Sequence, residues 1–446
     1  MSESDSDIGS PRHPAHALIF GSSTEQYLIS EVLLSASSSD RSARAQFLAE
    51  RADILFENHR FARVVHTFPY DGDMVGNMYG TSPDASKHWS TLAGHERTRR
   101  WHSEFRMSEE IFEQLFEQCE RHFIVKGHRR NEAFREYSTR AKLLMTLHYL
   151  AYVPTLRDMS TKFGVPHNSF SVCILRPTLD AMYECLFVEP ETKVIKFPRT
   201  KEELDKALNE EGGFFTLPGC IGAIDGSLIP CKKPTKKQAD GDTDAYYGYK
   251  GFISTLLLAV VDTRGRFIYV LAGAPGCCGD TGLFGNSSLK ALINTSVLLQ
   301  SSTKISIGPI VHDINPYMVG DAAFTLQPYM QVGHRPAPTE NSPKGKYNRN
   351  IINSRRTVEC TFGRLKGRWQ FCNSNCHQND PEFLKVAVVV SCCLHNFLET
   401  RNAEFDDELL EHVDPEVVLP VGNAHLDSVP AGKALRDLLT AWSGRQ

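Results

Sequence analysis

The chain has 446 residues, 41% of them hydrophobic and 23% charged. That is enough for two to four structural units with cores of their own and excludes a mini-protein that depends on staples. The net charge of −4 speaks against a nucleic-acid enzyme only until it is resolved along the chain, because local fields attract phosphates. The N-terminal Met1-Ser-Glu-Ser-Asp-Ser-Asp7 lacks the layout of a signal peptide, so secretion is not expected. The longest apolar stretches, such as 386–394, are about half of what a bilayer span needs, so no membrane segment is expected. Twelve cysteines include the adjacent pairs Cys277-Cys278 and Cys392-Cys393, which read as reduced, buried thiols of an intracellular protein rather than disulfides.

Residues 1–40 are rich in Ser, Asp and Glu and read as disordered. Residues 41–100 form a helix and linker, with helical spacing at 41–61 and Gly, Ser and Asn concentrated at 71–86. A helical domain is expected over 101–200. Phe105, Met107, Ile111, Phe112, Leu115 and Phe116 recur at helical spacing, and 143–150 reads as a buried helix. Within this domain, 156–163, then Gly164-Val165, then 169–175 gives helix, tight turn, helix. This helix-turn-helix-like layout could place Asn168 and Ser169 near a major groove. Residues 121–180 hold ten Lys/Arg against four acids, a local +6.

From Gly219 the pattern shifts toward strands: 220–229, 254–262, a turn at Thr263-Arg-Gly265, and 267–273. Helical patterning follows at 283–299, then a strand at 317–319 and a long basic helix at 350–369. This order is that of a mixed-sheet α/β domain of ribonuclease-H-like type over 215–400. Residues 341–370 carry eight bases against Glu359 alone, a local +7, whereas 401–446 carry nine acids against four bases, a local −5. The last segment therefore reads as an acidic tail.

Three carboxylates carry the chemistry: Asp225 at the end of the first strand, Asp321 after the fourth, and Glu359 on the basic helix. Acids brought together from distant segments repel one another, and hard cations that prefer oxygen ligands are a natural reason to tolerate that. Two such ions, Mg²⁺ or Mn²⁺, held roughly 4 Å apart would serve phosphodiester cleavage. Asp280 reads as a helix N-cap before Thr281, and Asp313 as a loop residue away from the site. DNA-binding candidates are Lys250, Arg355, Arg356, Arg364 and Lys366. Lys232-Lys233-Pro-Thr-Lys236-Lys237 fits either nuclear import or substrate contact. Cys372, Cys376, His377, Cys392, Cys393 and His395 supply enough soft ligands for a zinc site, though not at finger spacing.

The residues around each carboxylate resemble the PIF/Harbinger transposases and the nucleases derived from them. The matching stretches are Ile221-Gly-Ala-Ile-Asp225-Gly-Ser-Leu-Ile229, Tyr246-Tyr-Gly-Tyr-Lys-Gly-Phe252, Val260-Val-Asp262 with Gly265-Arg-Phe267, Gly320-Asp321, residues 353–366, and Leu394-His-Asn-Phe397. Phe105-Arg-Met-Ser108, Arg140-Ala-Lys-Leu-Leu144 and Phe163-Gly-Val165 match upstream, so the resemblance covers roughly residues 100–400. The chain departs at Leu258, where the family often has Gln, and at Cys277-Cys-Gly-Asp280, where it tends to show His-Asp. The resemblance implies that Asp225, Asp321 and Glu359 are the family's catalytic and metal-binding triad, with Asp225 bridging two ions. It also implies cutting at transposon terminal repeats, joining of the freed 3′-hydroxyl to target DNA, a Myb/SANT-like partner protein, a homo-oligomer and a nuclear location. The alternative is a domesticated transposase that binds DNA or chromatin without transposition. The resemblance also implies a packing role for Leu394-His395-Asn396, which have a counterpart in the family.

Overall fold

A computed structural model describes residues 94–123, 137–166, 170–209, 216–295, 302–374, 376, 378–413 and 429–445. They all lie in one compact unit, Val64–Gln446. The expectations for 1–40, 41–61 and 71–86, and for Asn168, Ser169 and His377, fall outside the described residues.

The chain enters through helices α1 (Gly94–Phe105), α2 (Glu109–Cys119), α3 (Thr139–Tyr152) and α4 (Leu156–Phe163). Small polar caps start them. Ser108 accepts from Ile111 N and Ser138 from Ala141 N, while Thr155 and Asp158 form a reciprocal capping box. Every residue of α3 from Ala141 to Ala151 is buried, Lys142, Thr146 and His148 included, so the helix has no polar face there. Gly164 turns the chain at φ 68°, a conformation that costs glycine no Cβ clash. A wide helical turn, Phe170–Leu175, then runs into α5 (Arg176–Tyr183), and α6 (Lys201–Asn209) follows. Helices flank the Gly164 turn, with 167–169 outside the described residues, and among the described residues of 121–180 most basic side chains are paired or buried. Arg121 pairs with Glu189, Arg140 with Glu113, Lys162 with Glu104 and Arg176 with Asp380, and Lys142 is only 5% exposed.

The sheet consists of β1 (Cys220–Pro230), β2 (Ser254–Val261), β3 (Phe267–Pro275), β6 (Tyr317–Val319) and β7 (Met330–Gln331) in the order β3-β2-β1-β6-β7. The first three are antiparallel neighbours, whereas β6 runs parallel to β1 and β7 parallel to β6. Between β3 and β6 lie α7 (Asp280–Gly285), α8 (Ser288–Thr295) and a hairpin of β4 (Thr303–Ile307) and β5 (Ile310–Ile314). Three expectations are corrected here. Asp225 sits in the middle of β1, which continues paired with β2 out to Pro230. The helical patterning expected over 283–299 is interrupted: its described part, to residue 295, is two short helices. Asp313 is a strand residue opposite Lys304, because Thr303-Lys-Ile-Ser-Ile alternates at the strand period and Gly308, at φ 65°, allows the tight reversal.

Alternation along the strands separates two apolar layers. Ala223, Ile229, Leu257, Ala259, Tyr317 and Val319 join one core with Ile351, Val358 and Phe362 of α9 (Pro343–Arg368). Ile224, Leu228, Leu256, Leu258 and Met318 join the other with Leu283, Phe284, Leu289 and Ile293 of α7 and α8. Helices therefore cover both faces. Ser342 caps α9 and Pro343 opens it, so it begins seven residues earlier than its basic run suggests. Its 26 residues extend about 39 Å.

Two further helices complete the unit. α10 (Pro381–Thr400) is long and apolar enough to cross a membrane, but 78% of its apolar window is buried in the protein, so packing accounts for its composition. The segment expected to be an acidic tail contains α11 (Pro430–Arg445), which packs along α9. There Leu435 and Leu439 are buried, His334 Nε2 lies 2.8 Å from Thr440 Oγ1, and Asn350 Nδ2 donates to Ser443 Oγ at 3.3 Å. Averaging charge over 401–446 hid an amphipathic helix.

His395, within α10, is fully buried, and its Nε2 lies 2.8 Å from the carbonyl oxygen of Gly265 in the β2–β3 turn. A carbonyl can only accept, so Nε2 carries the proton. Burial pushes the imidazole down to about 4, whereas in the unfolded chain it titrates at its ordinary 6.5. Between those values the unfolded state binds a proton that the folded state refuses, so stability falls as pH drops from about 6.5 to 4. His334, also pushed down to about 4 by burial, acts in the same sense. Urea unfolding at pH 7 and pH 5 should differ by about 2 kcal/mol through His395, and His395→Gln should flatten that slope. An unchanged slope in this variant would contradict the assignment.

Candidate active site

The sheet register brings the first two carboxylates toward one place. Ala223 of β1 pairs with Val319 of β6 in parallel, and Asp225 and Asp321 each lie two residues beyond that pair. Ala223 and Val319 belong to the core layer shared with α9, so the period of two turns Asp225 toward that helix. Asp225 Oδ1 accepts from Gly226 N at 2.9 Å, and Asp321 Oδ1 accepts from Ala323 N at 2.9 Å in a tight turn after β6. Both carboxylates are thus oriented by backbone donors.

Glu359 arrives on α9, and Arg355, one helical turn before it, links the two elements. Arg355 Nη2 lies 3.4 Å from Asp225 Oδ2 and 3.3 Å from Glu359 Oε1. The Asp225, Arg355 and Glu359 side chains are 12%, 20% and 36% exposed, so the guanidinium stands at the mouth of a half-buried acidic site. Its Nε is buried and has no hydrogen-bond acceptor among the described residues. Sequence reasoning gave Arg355 to DNA. The four-residue spacing of Arg355 and Glu359 was the available signal for this ion pair. Among the described residues no three His, Cys, Asp or Glu side chains converge closely enough to hold an ion. The donor set is nonetheless all oxygen, as hard divalent cations require, and Arg355 supplies a positive charge between two of its members.

Asp280 is not an N-cap. Gly279 holds that position, and Asp280 is the first residue of α7. A Cβ on Gly226 would strike the Asp280 carboxylate, so glycine is required there for close approach. Because Gly226 follows Asp225 on the strand, Asp280 lies on the opposite face of the sheet. Asp262 is consumed by its own turn, accepting from Arg264 N and Arg266 N at 2.9 Å and pairing with the Arg266 guanidinium at 2.6 Å.

The basic candidates separate by exposure. Lys366 is 7% exposed and is withdrawn from any surface a DNA backbone could reach. Arg364 donates to Glu399 Oε1 at 2.8 Å, and buried Arg368 joins the same oxygen at 3.2 Å. Arg356 is exposed on α9, and Lys250 is half-buried in the loop between β1 and β2. Among the cysteines, Cys372, Cys376, Cys392 and Cys393 are buried, while Cys277 is exposed and Cys278 half-exposed, contrary to the expected buried pair. His395 and Asn396 serve packing: Asn396 hydrogen-bonds both backbone polar groups of Phe267. Of the candidate zinc ligands, His395 thus ties α10 to the β2–β3 turn, and Cys393 Sγ lies 3.7 Å from the Leu186 carbonyl oxygen.

Comparison with known proteins gives one family model, the DDE superfamily endonucleases, matching residues 224–396. "Protein ALP1-like" of Arabidopsis thaliana is 28% identical over 222 residues, 48% of this chain and 51% of that protein. "Putative nuclease HARBI1" of Rattus norvegicus is 26% identical over 270 residues, 59% of this chain and 68% of that protein, and the Homo sapiens protein of the same name is 24% identical over 265 residues, 59% of this chain and 68% of that protein. These relatives are Harbinger-derived. The chain spans about half the length of the plant relative. No solved structure matches it.

Proposed function

We propose that this chain, whose residues 224–396 match the model of the DDE superfamily endonucleases, cuts DNA phosphodiester bonds using divalent metal ions held by Asp225, Asp321 and Glu359. The observation that carries this reading is the Arg355 guanidinium between Asp225 and Glu359, carboxylates from segments far apart in the chain. Acids gathered at such a distance need a cation, and here the protein supplies one. The strand order, antiparallel through β3-β2-β1 and parallel onward to β6 and β7, supports a ribonuclease-H-like fold. Bound to these oxygens, two Mg²⁺ or Mn²⁺ ions would activate the attacking oxygen and stabilise the leaving one. The chain's own work is to orient. Backbone donors aim Asp225 and Asp321, and α9 carries Glu359 to the Arg355 guanidinium that Asp225 also contacts. Arg355, once released from the carboxylates, finds phosphate oxygens as its nearest alternative anions. The same reading extends to transposon terminal repeats as substrate, a homo-oligomer that brings two ends together, a Myb/SANT-like partner and a nuclear location.

The test is incubation of purified protein with supercoiled plasmid and Mg²⁺ or Mn²⁺. Nicked or linear products support the reading. Plasmid that is bound yet intact with both metals favours the second reading, a DNA-binding module without cutting. Arg355 gives a prediction independent of turnover. If its guanidinium competes with metal, Arg355→Ala should bind Mn²⁺ roughly fivefold more tightly, the effect of a partly exposed ion pair worth about 1 kcal/mol. Titration calorimetry would measure it. Weaker binding in the variant would mean that Arg355 organises the ligands rather than competing for them.

A further inference from the structure

We propose that the outer face of α9 and the β2–β3 turn form a preorganised phosphate-binding cleft that holds the DNA backbone beside the carboxylate site. The proposal rests on the DNA-cutting reading above and names a second contact for the same substrate. The cleft measures about 280 Å³, and its walls include Arg264, Arg356 and Arg364 together with Asn353, Thr357 and Cys360. Arg356, Cys360 and Arg364 lie four residues apart along α9, a row adjacent to Arg355 and Glu359 on the helix surface. The cleft therefore continues the acidic site around the helix. From Arg356 to Arg364 the row spans about 12 Å, or roughly three base-pair rises of about 3.4 Å along one strand.

The arrangement is held from beneath by groups that the proposed cutting leaves unexplained. Gly265, at φ 72°, brings the turn so near α9 that a Cβ there would stand 3.1 Å from Thr361 Oγ1. His395 of α10 binds the Gly265 carbonyl oxygen, and Asp262 ties down the backbone of Arg264 and Arg266. Glu399, one helical turn beyond His395, grips Arg364 through two hydrogen bonds of 3.2 and 2.8 Å, while Phe405 lies under that guanidinium at 4.2 Å. Glu399 is the cleft's one acid, and two arginines, Arg364 and Arg368, already hold it. The fold thus fixes the wall that presents Arg264 and Arg364, and exposed Arg356 completes the row. A guanidinium fixed at Arg364, with exposed Arg264 and Arg356 beside it and Asn353 and Thr357 flanking, suits phosphate oxygens.

Cys360 makes the proposal measurable, because it is exposed inside the cleft while exposed Cys277 lies outside it. The experiment uses full-length protein without divalent metal and a short DNA duplex. Alkylation of each cysteine by N-ethylmaleimide is followed by mass spectrometry, and binding is followed by fluorescence anisotropy across a salt series. Bound duplex should slow alkylation of Cys360 at least fivefold relative to Cys277. Arg264→Ala and Arg356→Ala should each reduce the salt slope of binding by about 1. DNA binding with Cys360 unprotected and salt slopes unchanged overturns the cleft and leaves the carboxylate site untouched. Protection by polyglutamate equal to that by DNA assigns the cleft to acidic polypeptide and overturns it as a DNA contact. A protein that protects Cys360 yet never cuts plasmid keeps the cleft and loses the nuclease reading, and one that binds no DNA loses both.

Discussion

Asp225→Asn is expected to lower metal-dependent plasmid cutting by roughly 10³-fold or more, since losing a carboxylate that would hold the proposed metal ions removes several kcal/mol of transition-state stabilisation. The substitution keeps the shape and the acceptor for Gly226 N, an existing 2.9 Å hydrogen bond, so the fold should survive it. It removes the charge that balances Arg355, and with it the donor best placed to serve both ions, because Asp225 stands between β6 on one side and α9 on the other. Asp321→Asn and Glu359→Gln should fall to similar levels. Asp313→Asn is the control, an exposed carboxylate on β5 away from the core layers, and should cut like the wild type. Equal cutting by Asp225→Asn would remove the triad from the chemistry. Circular dichroism on each variant separates loss of chemistry from loss of fold.

The parts of this site that the sequence made legible are those set by local period. An apolar run around Asp225 and a shorter one before Asp321 mark strands, and the spacing around Glu359 marks a helix, so the element that carries or precedes each acid could be read directly. Arg264 and Glu399 could not be found this way. Arg264 acquires a role only because the β2–β3 turn meets α9, and Glu399 only because α10 crosses it, in contacts between residues 35 positions apart or more. The β4–β5 hairpin escaped because five-residue strands leave a weak pattern, and α11 escaped because net charge over 401–446 masked buried Leu435 and Leu439. Asp280 was misread because a carboxylate beside a helix start has two economical uses. Its packing on Gly226 decides between them.

The same long-range logic makes Asn396 the residue whose loss should cost the fold most for its size. Asn396 is 2% exposed and acts as a piece of backbone where β3 begins. Its Oδ1 accepts from Phe267 N at 2.8 Å, and its Nδ2 donates to Phe267 O at 2.7 Å and to Val194 O at 3.0 Å. The strand needs this help because its pairing with β2 slips between Val260 and Val261, beside the residue that Asn396 serves. Asn396→Ala strands a buried N–H and weakens the partners of two carbonyl oxygens, at about 1–3 kcal/mol for each unsatisfied group. The expected loss is about 4 kcal/mol in urea unfolding, with no dependence on added zinc or chelator. Asn396→Asp should be no milder despite its shape, because a carboxylate cannot donate and would turn an oxygen toward two carbonyls. A loss below about 1 kcal/mol, the usual worth of one hydrogen bond, would mean that α10 is held by its apolar face alone. The preorganisation claimed for the β2–β3 turn would then need another source.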